Sequence, residues 1–331
     1  MRCFVNIGYL TKVNINSLNS GESPGTNIVV IKRLQDSKGD YYVYVSGQAL
    51  RYYLKETMNE LGMPLTKIDK KGKYKINASA KGKERYKEIV RNHPDLDLFG
   101  FMEAVREEKE MALRRWSPVK VSPLISIYPW KGESDLLTRR KEGQAGGDLV
   151  KVEVNAFNFM RGTIMVDVDA VGSYVEEGSY VDEISYEREM VRDEKDKENK
   201  KRRLGWLIEA IKNLDGGAKK ARLLDDLTPK FVVITKQKAG TPIFLNSLMV
   251  DEEGNIKIEL IKESLEEYED MVEDCIIGIR SGIFANENEI RNSFKENNGK
   301  DVKVVSISEA IDTAKKWISS NTKNNSEKTS N

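Results

Sequence analysis

The chain has 331 residues, with 54 Lys and Arg against 53 Asp and Glu, one His and a formal charge of +1. Hydrophobic residues make up 39% and charged ones 32%, a globular composition with room for one large domain or two ordinary ones. No run approaches the roughly 18 apolar residues of a membrane helix, and two cysteines cannot build a disulfide framework or a Cys-rich zinc site.

The opening Met1-Arg2-Cys3-Phe4-Val5-Asn6 turns polar too soon for a signal peptide, so a cytoplasmic protein is expected, with Cys3 and Cys275 as buried free thiols. The lone His93 lies in Arg91-Asn92-His93-Pro94-Asp95. It is expected at the surface of a polar turn, which sets histidine-based catalysis and multi-histidine metal sites aside.

In chain order, Cys3, Val5, Ile7 and Tyr9 alternate as in a strand. Residues 14–27 are rich in turn formers and read as a loop, and Ile28 to Leu34 with Tyr41 to Val45 reads as a hairpin. Ser46 is a natural N-cap for a helix striped by Leu50, Leu54, Thr57, Met58 and Leu61 and closed by Gly62. Val121 to Tyr128 reads as a strand, residues 130–149 as a polar excursion, and Val150 to Asn155 with Thr163 to Val168 as returning strand. Leu204, Leu207, Ile208, Ile211 and Leu214 stripe a second helix, followed by a strand over Lys230 to Ile234. A last strand over Val302 to Ile307 and a helix through Trp317 precede a polar tail, 319–331, expected to be disordered. Strand, helix, strand, strand, helix, strand is the split βαβ plan shared by ferredoxin-like and RNA-recognition folds, an α+β class.

Charge is balanced in total but segregated along the chain. Residues 62–92 carry ten Lys and Arg against Asp69, Glu84 and Glu88, whereas 251–274 carry eleven acids against Lys257 and Lys262. Such segregation fits a polyanion-binding face and equally fits two solvated surfaces. The mixed run from Glu187 to Arg203 reads as an exposed helix or linker.

Two motifs point to phosphate. Lys32 and Arg33, with Ser46-Gly47-Gln48-Ala49-Leu50-Arg51, bring cations close to a helix N-terminus. Asp215-Gly216-Gly217-Ala218-Lys219-Lys220-Ala221-Arg222 is a glycine turn followed by three cations. Arg161 to Val168 lacks the aromatics with which an RNA-recognition strand stacks bases. Asp167 and Asp169 alternate along a strand and are expected to face outward rather than to form a metal pair.

Several of these stretches, in order, resemble a known family. Asn27 to Arg33 leading to Val45 through Leu54, Asp95-Leu96-Asp97-Leu98-Phe99-Gly100-Phe101-Met102, Ser117 to Ser126, and Gly217 to Arg222 resemble the DevR-type CRISPR-associated proteins. These are the Cas-seven family, the repeated backbone subunit of the type I-B Cascade complex. The resemblance implies a modified RNA-recognition-motif palm (1–59, 120–129 and 150–318), a finger insertion (60–119) and a thumb hairpin (130–149). It implies stacking of several copies along a CRISPR guide RNA, with target DNA paired through the guide and other Cascade subunits as neighbours. Carried onto matching positions, guide-RNA contacts would come from Lys32, Arg33, Ser46, Gln48, Arg51, Met102, Lys219, Lys220 and Arg222. No catalytic residue, cofactor, metal or membrane is implied.

Two other classes stay open. Some RNA-cleaving relatives carry an aspartate in the loop after the first strand; here residues 14–27 hold Glu22 and no aspartate. A metal-dependent ribonuclease would have to use Glu22 or Asp167 and Asp169. A gene regulator would read duplex DNA, yet no helix-turn-helix stands out.

Overall fold

A computed structural model describes residues 2–22, 25, 27–104, 112–140, 147–175, 190–191, 194–294 and 302–320. Strands β1 (Phe4–Asn16), β2 (Ile28–Val29), β3 (Arg33–Gln35) and β4 (Tyr41–Val45) precede helix α1 (Gly47–Glu60). Helices α2 (Gly82–Asn92) and α3 (Pro94–Phe99) lead to β5 (Phe101–Ala104), β6 (Ala112–Arg115), β7 (Val119–Val121) and β8 (Leu124–Ser126). Then come β9 (Ser134–Arg140), β10 (Gly147–Glu153), the long β11 (Asn155–Asp167), β12 (Tyr174–Val175), β13 (Met190–Val191) and α4 (Glu194–Lys212). The chain continues through β14 (Phe231–Gln237), α5 (Ile258–Glu267), β15 (Val272–Ile279), α6 (Glu287–Ser293), β16 (Lys303–Val305) and α7 (Ile307–Ser320).

The main sheet runs β16-β15-β14-β1-β11-β8-β4-β3, with β7 also pairing β11. Its middle is antiparallel: Ile7 lies opposite Ile164 on one side and Ile234 on the other. Alternation of side chains along these strands feeds two apolar cores, one per face. Val5, Ile7 and Tyr9 of β1 and Val232 and Ile234 of β14 pack beneath the stripes of α1, α4 and α7. Leu10, Phe231 and Val233 face the other core, closed by Phe244, Leu248, α5 and α6. Gly8 lets this second layer approach, since a Cβ there would lie 2.8 Å from that of Phe244. Both faces of β1 are therefore covered as far as Thr11, beyond which Lys12, Asn14 and Ile15 are exposed.

Most expected elements are present, but β1 runs on through Asn16 into the stretch read as a loop, and of the expected hairpin only Arg33–Gln35 pairs β4, while Ile28–Val29 pairs β10. Val121 to Tyr128 is two strands, because Pro123 has no amide to give the ladder. Ser122 bridges the break, its amide donating to Thr163 O at 2.9 Å and its Oγ accepting from Thr163 N–H at 2.8 Å. Val150 and its neighbours leave the main sheet: β10 pairs β9 and β2 in a separate three-stranded sheet over Val152, Val154 and Leu223.

The described part of the Glu187 to Arg203 run is a helix, as one of its two readings had it, but not an exposed one throughout. Residues 194–203 begin α4, and Lys200 and Arg203 are among the most deeply buried side chains. Arg203 and Arg115 both donate to the carboxylate of Asp97, which also accepts from the Gly172 amide at 3.0 Å. Arg115 spends its remaining donors on Asp97 O, Tyr86 Oη, Ala170 O and Ser173 O.

His93 is buried, not on the surface, because Asn77 and Thr66 hydrogen-bond both ring nitrogens. Asp167 does not face outward; it is buried beneath Arg2, and burial raises its carboxyl above the usual range against the pull of that arginine. Burial likewise pushes the thiols of Cys3 and Cys275 up to about 12, with Cys3 fully buried and Cys275 half-buried. The 319–331 tail lies, from residue 321, outside the described residues, and so does the tip of the 130–149 excursion.

Candidate nucleic-acid interface

The turn after β1 organises the site. Asn19 accepts the Ser46 amide on its side-chain oxygen at 3.1 Å and the Lys32 amide on its carbonyl at 2.9 Å. Leu18 O accepts the Tyr53 hydroxyl, and Ser17 O accepts the Ala218 amide at 3.1 Å. One short turn thus gathers the α1 N-terminus, the strand entry at Lys32 and the 215–222 loop, segments far apart in sequence.

Two glycines make the approach possible. A Cβ on Gly216 would sit 2.3 Å from the Tyr53 ring, and Gly217 takes φ +115°, a region L side chains rarely adopt. The carbonyl of Lys219, at φ +59°, then accepts the Arg222 and Leu223 amides and turns the loop back.

Ser46 caps α1, its Oγ accepting from the Ala49 amide at 3.3 Å. Other amides of the first turn remain available to an anion. Gln48 is exposed beside them. Arg51 donates to Phe99 O and stacks on the Phe99 ring at 5.5 Å, where burial lowers its pKa. Phe99 leads through Gly100 to β5, so Arg51 lies near Met102, which is 69% exposed.

Of the expected contact residues, Lys32, Ser46, Gln48, Lys219 and Arg222 thus gather around residues 17–19, with Arg51 and Met102 adjoining. Lys32, Lys219 and Arg222 have no carboxylate partner among the described residues. Arg33 is different: it pairs with Glu153 at 2.7 Å and stacks on Trp130 at 4.5 Å, tying β3 to β10. Lys220 pairs with Asp215 of its own loop.

Residue-by-residue reading missed Asn19 and Lys55. Lys55 follows Arg51 by one turn and shares the Phe99 ring at 5.5 Å, and burial lowers its pKa. The i, i+4 spacing of Arg51 and Lys55 was the available signal. Asn19 had none, because its role depends on where the chain returns. Among the described residues no group of three or more His, Cys, Asp or Glu could hold a metal ion, and no helix is long and apolar enough to cross a membrane.

A mixed α+β fold on one large sheet, with basic loops brought together at residues 17–19, defines the class, and comparison with solved structures agrees on the fold. A chain of a "CRISPR RNA-guided surveillance complex, pre-nicking" superposes with TM-score 0.56 at 12% identity, covering 95% of this chain and 100% of that one. A chain of another CRISPR RNA-guided surveillance complex gives 0.54 at 14%, covering 95% and 99%. No curated protein matches by sequence. The family model described as "CRISPR-associated negative auto-regulator DevR/Csa2" matches residues 7–252. The chain belongs to the DevR/Csa2 family.

Proposed function

We propose that this protein is a non-catalytic backbone subunit of a type I-B Cascade surveillance complex, binding CRISPR guide RNA through the basic loops around residues 17–19. The carrying observation is that the 17–19 turn brings together the capped start of α1, the strand entry at Lys32 and the loop of Lys219 and Arg222, cations that no carboxylate neutralises among the described residues. Unneutralised cations beside free helix amides suit a phosphate backbone. Membership in a CRISPR-associated family and a fold shared with surveillance-complex chains support the reading. The chain order β1, α1, β8, β11, α4, β14 and the adjacency β14-β1-β11-β8 support a split βαβ palm. Residues 60–119 then serve as fingers and the β9–β10 hairpin as a thumb, with target DNA paired through the guide.

Neutralising Lys219, Lys220 and Arg222 together tests this. Affinity should fall equally for unrelated single-stranded RNA sequences, and the slope of log affinity on log salt should flatten by roughly 0.7 per lost phosphate contact. Changing Lys220 alone should matter least, because Asp215 already holds it. A triple variant with the wild-type salt slope would overturn the assignment.

A further inference from the structure

Among the described residues, the two non-glycine residues at positive φ are Phe157 (φ 49°) and Lys219 (φ 59°). They lie on opposite sides of the last turns of β1. The β1–β11 register runs Val13 to Asn158 and Ile15 to Ala156, leaving Asn14 and Phe157 out of the ladder. Asn14 donates its amide to Asp225 at 3.1 Å, and Ser17 bridges Ala218, so the 218–225 loop runs along the other edge of β1. Phe157 is therefore one strand away from the Lys219 turn.

A bulky side chain in the left-handed region is an outlier that persists only where its surroundings impose it. Here Asn158 imposes it. Its side chain accepts from the Tyr128 amide at 3.1 Å and donates to Tyr128 O at 3.0 Å and Asn155 Oδ1 at 3.3 Å. The strain is not repaid by burial, since Phe157 is 75% exposed. Ile15 on β1 and Leu224 in the flanking loop are exposed as well. Lys12, Lys219 and Arg222, on β1 and the flanking loop, have no carboxylate partner among the described residues. An aromatic face held open beside unneutralised cations matches single-stranded nucleic acid, whose bases stack while its phosphates are gripped.

We infer that Phe157 is a stacking platform for one unpaired base of the bound strand, an inference that rests on the RNA-binding reading above. The backbone strain presents the ring before RNA arrives, and Lys219 and Arg222 hold the adjoining phosphates.

The test compares full-length wild type with Phe157→Gly and Phe157→Leu, using single-stranded RNA with 2-aminopurine at successive positions. Wild type should quench the probe at particular positions. Phe157→Gly should lose that quenching and bind roughly 5- to 150-fold more weakly. The same variant should melt no lower than wild type, because glycine relieves the positive φ. Phe157→Leu should lose the quenching and keep the fold. A Phe157→Gly protein with unchanged affinity and quenching overturns the inference while leaving RNA binding intact. A melting temperature that falls with affinity makes Phe157 structural and also overturns it. If RNA binding is unchanged but fewer copies assemble per RNA, the ring belongs to a contact between copies and the base platform is wrong. Wild type that binds no single-stranded RNA defeats the underlying reading and this one with it.

Discussion

His93 shows how much one side chain can owe to its neighbours. The Asn77 amide donates to Nε2 at 3.1 Å, so that nitrogen keeps its lone pair and the ring proton sits on Nδ1. Nδ1–H then donates to Thr66 Oγ1 at 2.9 Å, and the Thr66 hydroxyl donates to Asp95 Oδ1 at 2.6 Å. Of the charged groups facing the ring, Asp95 favours a second proton and Arg203 opposes it, but burial outweighs both and lowers the pKa from its ordinary 6.5. A second proton would also point at the Asn77 N–H. The sign follows: the folded state prefers neutral histidine, so this stability is whole above pH 6.5 and is lost as pH falls below it. Urea midpoints measured from about pH 7.5 to 5.5 should drop more steeply for wild type than for His93→Gln. Parallel slopes would show that the ring titrates freely. The residue looked like a surface histidine because Arg91, Asn92 and Pro94 surround it in sequence, while its partners come from residues 66 and 77.

The elements divide into those whose period is local and those whose partners are distant. Helix α1 was legible almost to the residue: Ser46 caps it, Leu50, Leu54, Thr57 and Met58 are buried, and Gly62 follows at φ +95°. Strands β1, β14 and β16 and helix α7 were legible for the same reason, since apolar spacing reports the face that meets a core. For the first half of α4, a helix was among the readings, but its buried face was not legible. Lys200 and Arg203 resemble a solvated face, and nothing within α4 reveals that Asp97 of α3 and Asp169 after β11 will meet them. Asp97 joins α3, β6, α4 and the turn at Gly172 through charges sealed from water. Removing one member of such a set leaves the others buried without a counter-charge. Asp97→Ala should therefore cost about 3–5 kcal/mol in denaturant unfolding. A loss below about 1 kcal/mol, the range of exposed pairs, would mean that water reaches the cluster. The Asp95 to Met102 stretch, singled out for resemblance, thus turns out to be largely a structural joint, with Met102 as its exposed end.

At the scale of the whole molecule, opposite charges remain segregated on the surface. Lys67, Lys70, Lys71, Lys73 and Lys75 are exposed, as are Glu259, Glu263, Glu266 and Glu267 on and beside the α5 face. A head-to-tail contact between such faces cannot close on itself as a two-fold dimer does, and repeated copies would extend along a line. RNA that binds each copy raises the effective concentration of the next. Sedimentation should then find small species without RNA and, with RNA, a stoichiometry that climbs with RNA length. A constant dimer at every length would rule out growth along the strand. The basic cluster was only half legible, because its cations lie in recognisable motifs while the turn that gathers them is set by the return of residues 215–222 to β1. That return carries a consequence for how the chain comes into being. Phe4, at the head of the central strand, pairs with Asp167 on one side and Gln237 on the other. β1 thus leaves the ribosome well before either neighbour, and its apolar faces stay open until β14 has been synthesised. Contacts of such long sequence separation slow folding and leave a growing chain prone to association. A nascent chain halted before β14 should be held by chaperones, and release of the full-length protein should coincide with docking of that strand.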